Sequence, residues 1–84
     1  MPGRDSALCF EIANFDEAYA QDDRVIELTE AALARAGALP ARVDFPSRLF
    51  CVTVTNPALL VETMLSIFAT YGLQARLKGD YEHP

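Results

Sequence analysis

The feature that most narrows what this chain can fold into is the order of its periodic segments: strand, helix, strand, strand, helix, strand. Alternation with a period of two marks the first strand at 7–15, with Leu8, Phe10 and Ile12 on one side and Cys9, Glu11 and Ala13 on the other. A helical period follows at 23–36, where Val25, Ile26, Leu28, Thr29, Ala32, Leu33 and Ala36 share one arc. Asn14, Asp16 and Asp22 are all competent N-caps, so residues 15–22 stay open between helix and loop. Strands at 42–45 and 49–55 flank a turn at Phe45-Pro46-Ser47-Arg48, with Val43, Phe45, Phe50, Val52 and Val54 inward. Asn56 followed by Pro57 predicts an N-cap and a first helical residue. That helix should reach about 71 and bury Leu60, Met64, Ile67, Phe68 and Tyr71, with Leu59 on its outer face. Gly37 and Gly72 are placed to end the two helices. The last strand, at 73–77, turns Leu73, Ala75 and Leu77 inward and Gln74, Arg76 and Lys78 outward.

A β-α-β-β-α-β order in 84 residues predicts an α+β, ferredoxin-like sandwich: a four-stranded antiparallel sheet with two helices on one face. The chain reads as a single domain, 1–84, with an ordered core at about 7–78. Flexible tails are expected at 1–6 and 79–84, the second holding the lone histidine, His83. This architecture carries many unrelated functions, so function has to be argued from particular residues.

Charge excludes one class. At a net −5 the chain lacks the positive patch that a phosphate backbone requires, and no nucleic-acid partner is expected. Half of its twelve acids, namely Asp16, Glu17, Asp22, Asp23, Glu27 and Glu30, fall within residues 16–30. The run Arg48-Leu49-Phe50-Cys51-Val52-Thr53-Val54 has a superficial likeness to an RNA-binding octamer, but its aromatic faces the helices. The apolar stretch at 57–69 is interrupted by Glu62, Thr63 and Ser66, so no membrane span or membrane partner is expected. With no secretory leader visible and two cysteines lacking CxxC spacing, the expectation is a cytoplasmic protein with reduced thiols.

With the first and third strands as central neighbours, the sheet face turned from the helices carries Cys9, Glu11, Ala13, Leu49, Cys51 and Thr53. Arg42, Asp44, Gln74, Arg76 and Lys78 flank them. A small apolar centre inside a polar rim is the composition of a modest protein–protein interface, and equally of a solvated sheet face. Glu11 has no acid or histidine predicted nearby, so an ion pair with Arg76 is expected and catalysis is not. Cys9 and Cys51 on neighbouring strands with one facing could form a redox pair or half a soft-metal site. The simpler expectation is two unreactive thiols, with no metal and no cofactor.

The runs CVTVTNPALL at 51–60 and MLSIFATYGL at 64–73 resemble part of an ACT domain. In that family a strand enters a Pro-Gly-led helix, then a glycine and a second strand follow; Ala58 stands at the second position of that pair here. The resemblance implies a regulatory module that pairs and takes a small effector, commonly an amino acid, at the loop of Asn56 and Pro57.

The leading expectation is a small non-enzymatic regulator or accessory protein, homodimerising through the open sheet face at Cys9, Glu11, Leu49, Cys51, Thr53 and Arg76, or through a sheet edge. One alternative is the small-effector module. The other is an acidic inhibitor, of phage or plasmid type, presenting Asp22, Asp23, Glu27 and Glu30 to a basic site.

Overall fold

β1 (Ser6–Ile12) lies between two antiparallel partners, β3 (Leu49–Val54) and β4 (Ala75–Asp80), while β2 (Ala38–Asp44) pairs the far side of β3. The strand order is β2-β3-β1-β4. The computed structural model describes the backbone of residues 6–80 and the side chains of residues 7–78. Three helices complete this α+β chain: α1 (Phe15–Gln21), α2 (Val25–Ala36) and α3 (Val61–Thr70).

The core shows why the helices take one face. Phe10 and Ile12 from β1, and Phe50 and Val52 from β3, are buried together with Phe15, Val25, Ile26, Leu33, Met64 and Phe68 from the three helices. Alternation sends these strand positions to one side and Cys9, Glu11, Leu49, Cys51 and Thr53 to the other. Phe68 packs between the two central strands, its ring centroid 5.0 Å from both Phe10 and Phe50. A fully buried aromatic of this kind contributes roughly 2–3 kcal/mol of burial free energy. Thr29 is a buried polar residue in α2, and its hydroxyl donates to the Val25 carbonyl at 2.7 Å.

Three helices stand where two were expected, because residues 15–21 close a helical turn of their own around the buried Phe15. Asp22 then breaks the chain: its backbone is extended, and its carboxylate accepts the Arg24 N–H at 3.0 Å before α2 begins. Asp22 therefore serves the link between the helices; Asn14 stands at the N-cap of α1, its carbonyl accepting the Ala18 N–H at 3.0 Å, without a side-chain capping bond.

The expected helix start at Pro57 is four residues early. Asn56 holds a turn, its Oδ1 accepting the Ala58 N–H at 3.0 Å and its carbonyl the Leu59 N–H at 3.0 Å. Helix α3 consequently starts at Val61, Leu60 is 61% exposed instead of buried, and Leu59 packs on the core instead of facing out. Phe45, expected inward, lies in the β2–β3 turn and is 45% exposed. It stacks on Phe15 at 4.9 Å, and Tyr19 meets its edge at 5.3 Å.

Both edge strands carry one extra residue. The pairing of Pro40 with Val52 and of Arg42 with Cys51 leaves Ala41 over in β2; that of Leu77 with Phe10 and Gly79 with Cys9 leaves Lys78 over in β4. The Thr55 N–H donates to the Gly37 carbonyl at 2.8 Å, which makes that pair hydrogen-bonded. Alternation from there makes Pro40 a non-hydrogen-bonded position, with its donor-less nitrogen turned to the open edge. Strand β2 starts at Ala38 and β4 runs to Asp80, so residues 38–41 and 79–80 are strand where a link and a tail were expected. The expectations for residues 1–5 and for His83 lie outside the described residues.

Candidate functional site: the open sheet face

The face opposite the helices is built across β1 and β3 by three facing pairs: Glu11 with Leu49, Cys9 with Cys51, and Ala7 with Thr53. Strand β2 adds Asp44 beside Leu49, Arg42 beside Cys51, and Leu39 beside Thr53; β4 adds Arg76 beside Glu11. All six sequence-predicted residues, Cys9, Glu11, Leu49, Cys51, Thr53 and Arg76, are thus brought onto one surface. Leu39 belongs with them, although the sequence pattern hides it. Uninterrupted alternation back from Val43 would turn Leu39 inward, but the extra residue at Ala41 reverses the phase and leaves it 46% exposed.

The expectation of two free thiols is overturned: Cys9 and Cys51 are joined by a disulfide. The Ile12 N–H donates to the Arg48 carbonyl at 2.9 Å, so that pair is hydrogen-bonded. Counting back by alternation makes Cys9–Cys51 a non-hydrogen-bonded pair, the position where facing side chains come closest. The Cα atoms are 4.0 Å apart, and the bond spans 42 residues of sequence. Cys9 is 5% and Cys51 3% exposed, so the bridge lies low between its neighbours. A bonded pair removes the reduced thiols as a ground for expecting a cytoplasmic protein.

Charges on this face are engaged. Arg76 donates from Nε at 3.0 Å and from Nη2 at 2.7 Å to the same Glu11 oxygen, Oε1. Hydrogen bonding from Arg76, and then its charge, holds the Glu11 carboxyl below the usual glutamate range. Asp44 accepts the Ser47 hydroxyl at 2.7 Å and lies 3.6 Å from Arg42. A shallow recess of about 360 Å³ at this end is lined by Glu11, Ala13, Arg48, Gln74, Ala75 and Arg76. It sets a carboxylate already bound to arginine beside Ala13 and Ala75, with Arg48 and Gln74 completing the lining.

The other predicted residues have separate placements. Asp22 and Asp23 lie in the α1–α2 link, Glu27 and Glu30 on α2. The Asp22 carboxyl is held low by the Arg24 backbone N–H and guanidinium. Partial burial, then the charge of Glu27, pushes the Glu30 carboxyl up. Asn56 spends both ends of its amide on the chain, Nδ2 reaching the Ala36 carbonyl at 3.4 Å and Oδ1 holding Ala58, with Pro57 inside the same turn. A cleft of about 470 Å³ between α1, the start of α2 and the end of α3 is lined by Asn14, Glu17, Gln21, Leu28 and Tyr71 among others. Among the described residues no group of histidine, cysteine, aspartate or glutamate could hold a metal ion. No described helix is long and apolar enough to cross a membrane.

Comparison with protein-family models, curated proteins and solved structures finds no match to this chain.

Proposed function

We propose that this chain is a ferredoxin-like, non-enzymatic module that works as a regulator or accessory subunit, two copies meeting through their open sheet faces. The strand order β2-β3-β1-β4 supports the fold assignment. The observation that carries the function is the balance of that face on an otherwise acidic molecule. Glu11 and Asp44 lie among Arg42 and Arg76 around a centre of Leu39, Leu49, Thr53 and the closed disulfide, with Arg48 and Lys78 acting on Glu11 from the rim, while the whole chain carries −5. Two copies related by a two-fold axis present the same patch to each other, so the patch must not repel itself. A face on which acids and arginines alternate around an uncharged centre meets that condition, because each copy offers both signs to the other. The acidic surface of the α1–α2 link and α2, with Asp23, Glu27 and Glu30, does not.

The edges favour the face further. An extra residue in each edge strand, and Pro40 turned outward on β2, blunt strand-to-strand addition. Light scattering behind size exclusion tests the reading. A dimer at low and high salt is expected, and Leu49→Arg or Thr53→Arg should leave a monomer. Variants that keep the oligomeric state of the parent would show the surface to be the wrong one.

A second reading has its own observation. Partial burial, and after it the charge of Glu27 three residues away on α2, raises the Glu30 carboxyl, so two like charges share this stretch of helix surface. An acidic inhibitor would use Asp22, Asp23, Glu27 and Glu30 against a basic partner, and its capture of that partner would weaken steeply with salt. Face pairing would not.

A further inference from the structure

The Cys9–Cys51 bond stands at the centre of the face to which pairing is assigned, and any role for it in pairing rests on that assignment. Beneath it the sheet is closed: Phe10, Ile12, Phe50 and Val52 are fully buried on the helix side. A disulfide holds its sulfurs about 2 Å apart, whereas unbonded heavy atoms settle at roughly 3.5–4 Å. Breaking the bond therefore requires the two sulfurs to separate by roughly 1.5 Å. With the backbone below and 4.0 Å between the Cα atoms, that room lies outward and sideways, among Ala7 and Glu11 of β1, Leu49 and Thr53 of β3, Arg42 of β2 and the backbone at Gly79 of β4. Leu49, Thr53 and Arg42 form the middle of the proposed contact.

We propose that Cys9–Cys51 is a redox-responsive site that decides whether the sheet face can pair. Oxidised, the centre is low and two copies fit; reduced, two unbonded thiols raise it and the copies part. The reductant is a small dithiol. One of its thiolates attacks a cysteine sulfur, forming a mixed disulfide and releasing the other cysteine as a thiolate. Its second thiol then attacks the mixed disulfide and closes the reductant's own cyclic disulfide. The protein gains two electrons and two protons, and the dithiol loses the same. Because the oxidised form pairs more tightly than the reduced one, pairing in turn favours oxidation by the same factor.

Light scattering behind size exclusion, on oxidised protein and on protein equilibrated with dithiothreitol, tests this, with far-UV circular dichroism to confirm folding. The double variant Cys9→Val/Cys51→Val fills both sites with apolar, strand-favouring side chains that cannot bond, and it decides the matter if the reduced protein unfolds. The expected result is a dimer when oxidised and a folded monomer when reduced or when both valines are present, with dimer affinity reduced at least tenfold. Equal dimerisation of folded reduced protein, or of the valine variant in its place, overturns the redox proposal and leaves face pairing standing. Oxidised protein that is monomeric, or whose dimer survives Leu49→Arg, removes face pairing itself and the redox proposal with it.

Discussion

Gly37 and Asn56, nineteen positions apart, touch so closely that a β-carbon on Gly37 would run into the β-carbon of Asn56. Gly37 ends α2 with φ +112, its N–H donating to the Leu33 and Ala34 carbonyls at 3.0 and 3.1 Å. Its own carbonyl accepts from the N–H of Thr55 at 2.8 Å and the Thr55 hydroxyl at 3.1 Å. One residue thus stops a helix and seats the end of β3 against it.

Gly37→Ala should cost about 3 kcal/mol, from backbone strain and from displacement of Asn56 together. Gly72 gives the comparison: its φ is +80, but a β-carbon there meets nothing within 4 Å. Gly72→Ala should cost only about 1 kcal/mol. Urea unfolding of the two variants checks the difference, and equal costs would mean that the contact with Asn56 contributes nothing.

Asn14 ties the end of β1 to the start of β4. Its Nδ2 donates to the Gly72 carbonyl at 2.8 Å, and its Oδ1 accepts the Gln74 N–H at 2.8 Å. Asn14→Ala loses both bonds and should lower stability by about 2 kcal/mol. Asn14→Asp keeps the acceptor but sets a carboxylate oxygen against the Gly72 carbonyl, so it should fall well short of the parent at neutral pH. Denaturant midpoints for both variants are the measurement.

Arg76 depresses the Glu11 carboxyl, and this fixes the sign of the pH effect. A carboxyl whose folded value lies below its unfolded value adds stability above the unfolded value and loses it as pH falls through the folded one. The stability gap between parent and Arg76→Met should therefore be full at neutral pH and close as Glu11 protonates in acid. Carbon-detected NMR titration of Glu11 should show its midpoint moving up toward the usual range in Arg76→Met. An unmoved midpoint would mean that the ion pair is not formed in solution.

The disulfide closes a loop across 42 residues of sequence. On chain-entropy grounds reduction should cost about 4 kcal/mol, by freeing the unfolded chain. Urea midpoints with and without dithiothreitol measure it directly. A change under about 1 kcal/mol would show that the unfolded chain is already restrained between β1 and β3.

What the chain settles by itself is the facing of its side chains. Phe10, Ile12, Phe50 and Val52 go to the core, and Cys9, Glu11, Leu49, Cys51 and Thr53 to the open face, because alternation is a property of each strand's own backbone. The end of α2 at Gly37 is equally local, since a left-handed stop needs only the glycine. Partner choice is of another kind. Whether Cys9 meets Cys51, whether Glu11 meets Arg76, and that the side chains of Asn14 and Asn56 hold distant backbone instead of capping helix N–H groups all depend on register between segments far apart in sequence. Leu39 shows the limit most clearly: one extra residue at Ala41, accommodated only once β2 lies against β3, turns it from the core to the surface. Periodicity is written residue by residue, but register is chosen when two strands pack, and on this protein's open face register decides which side chains meet.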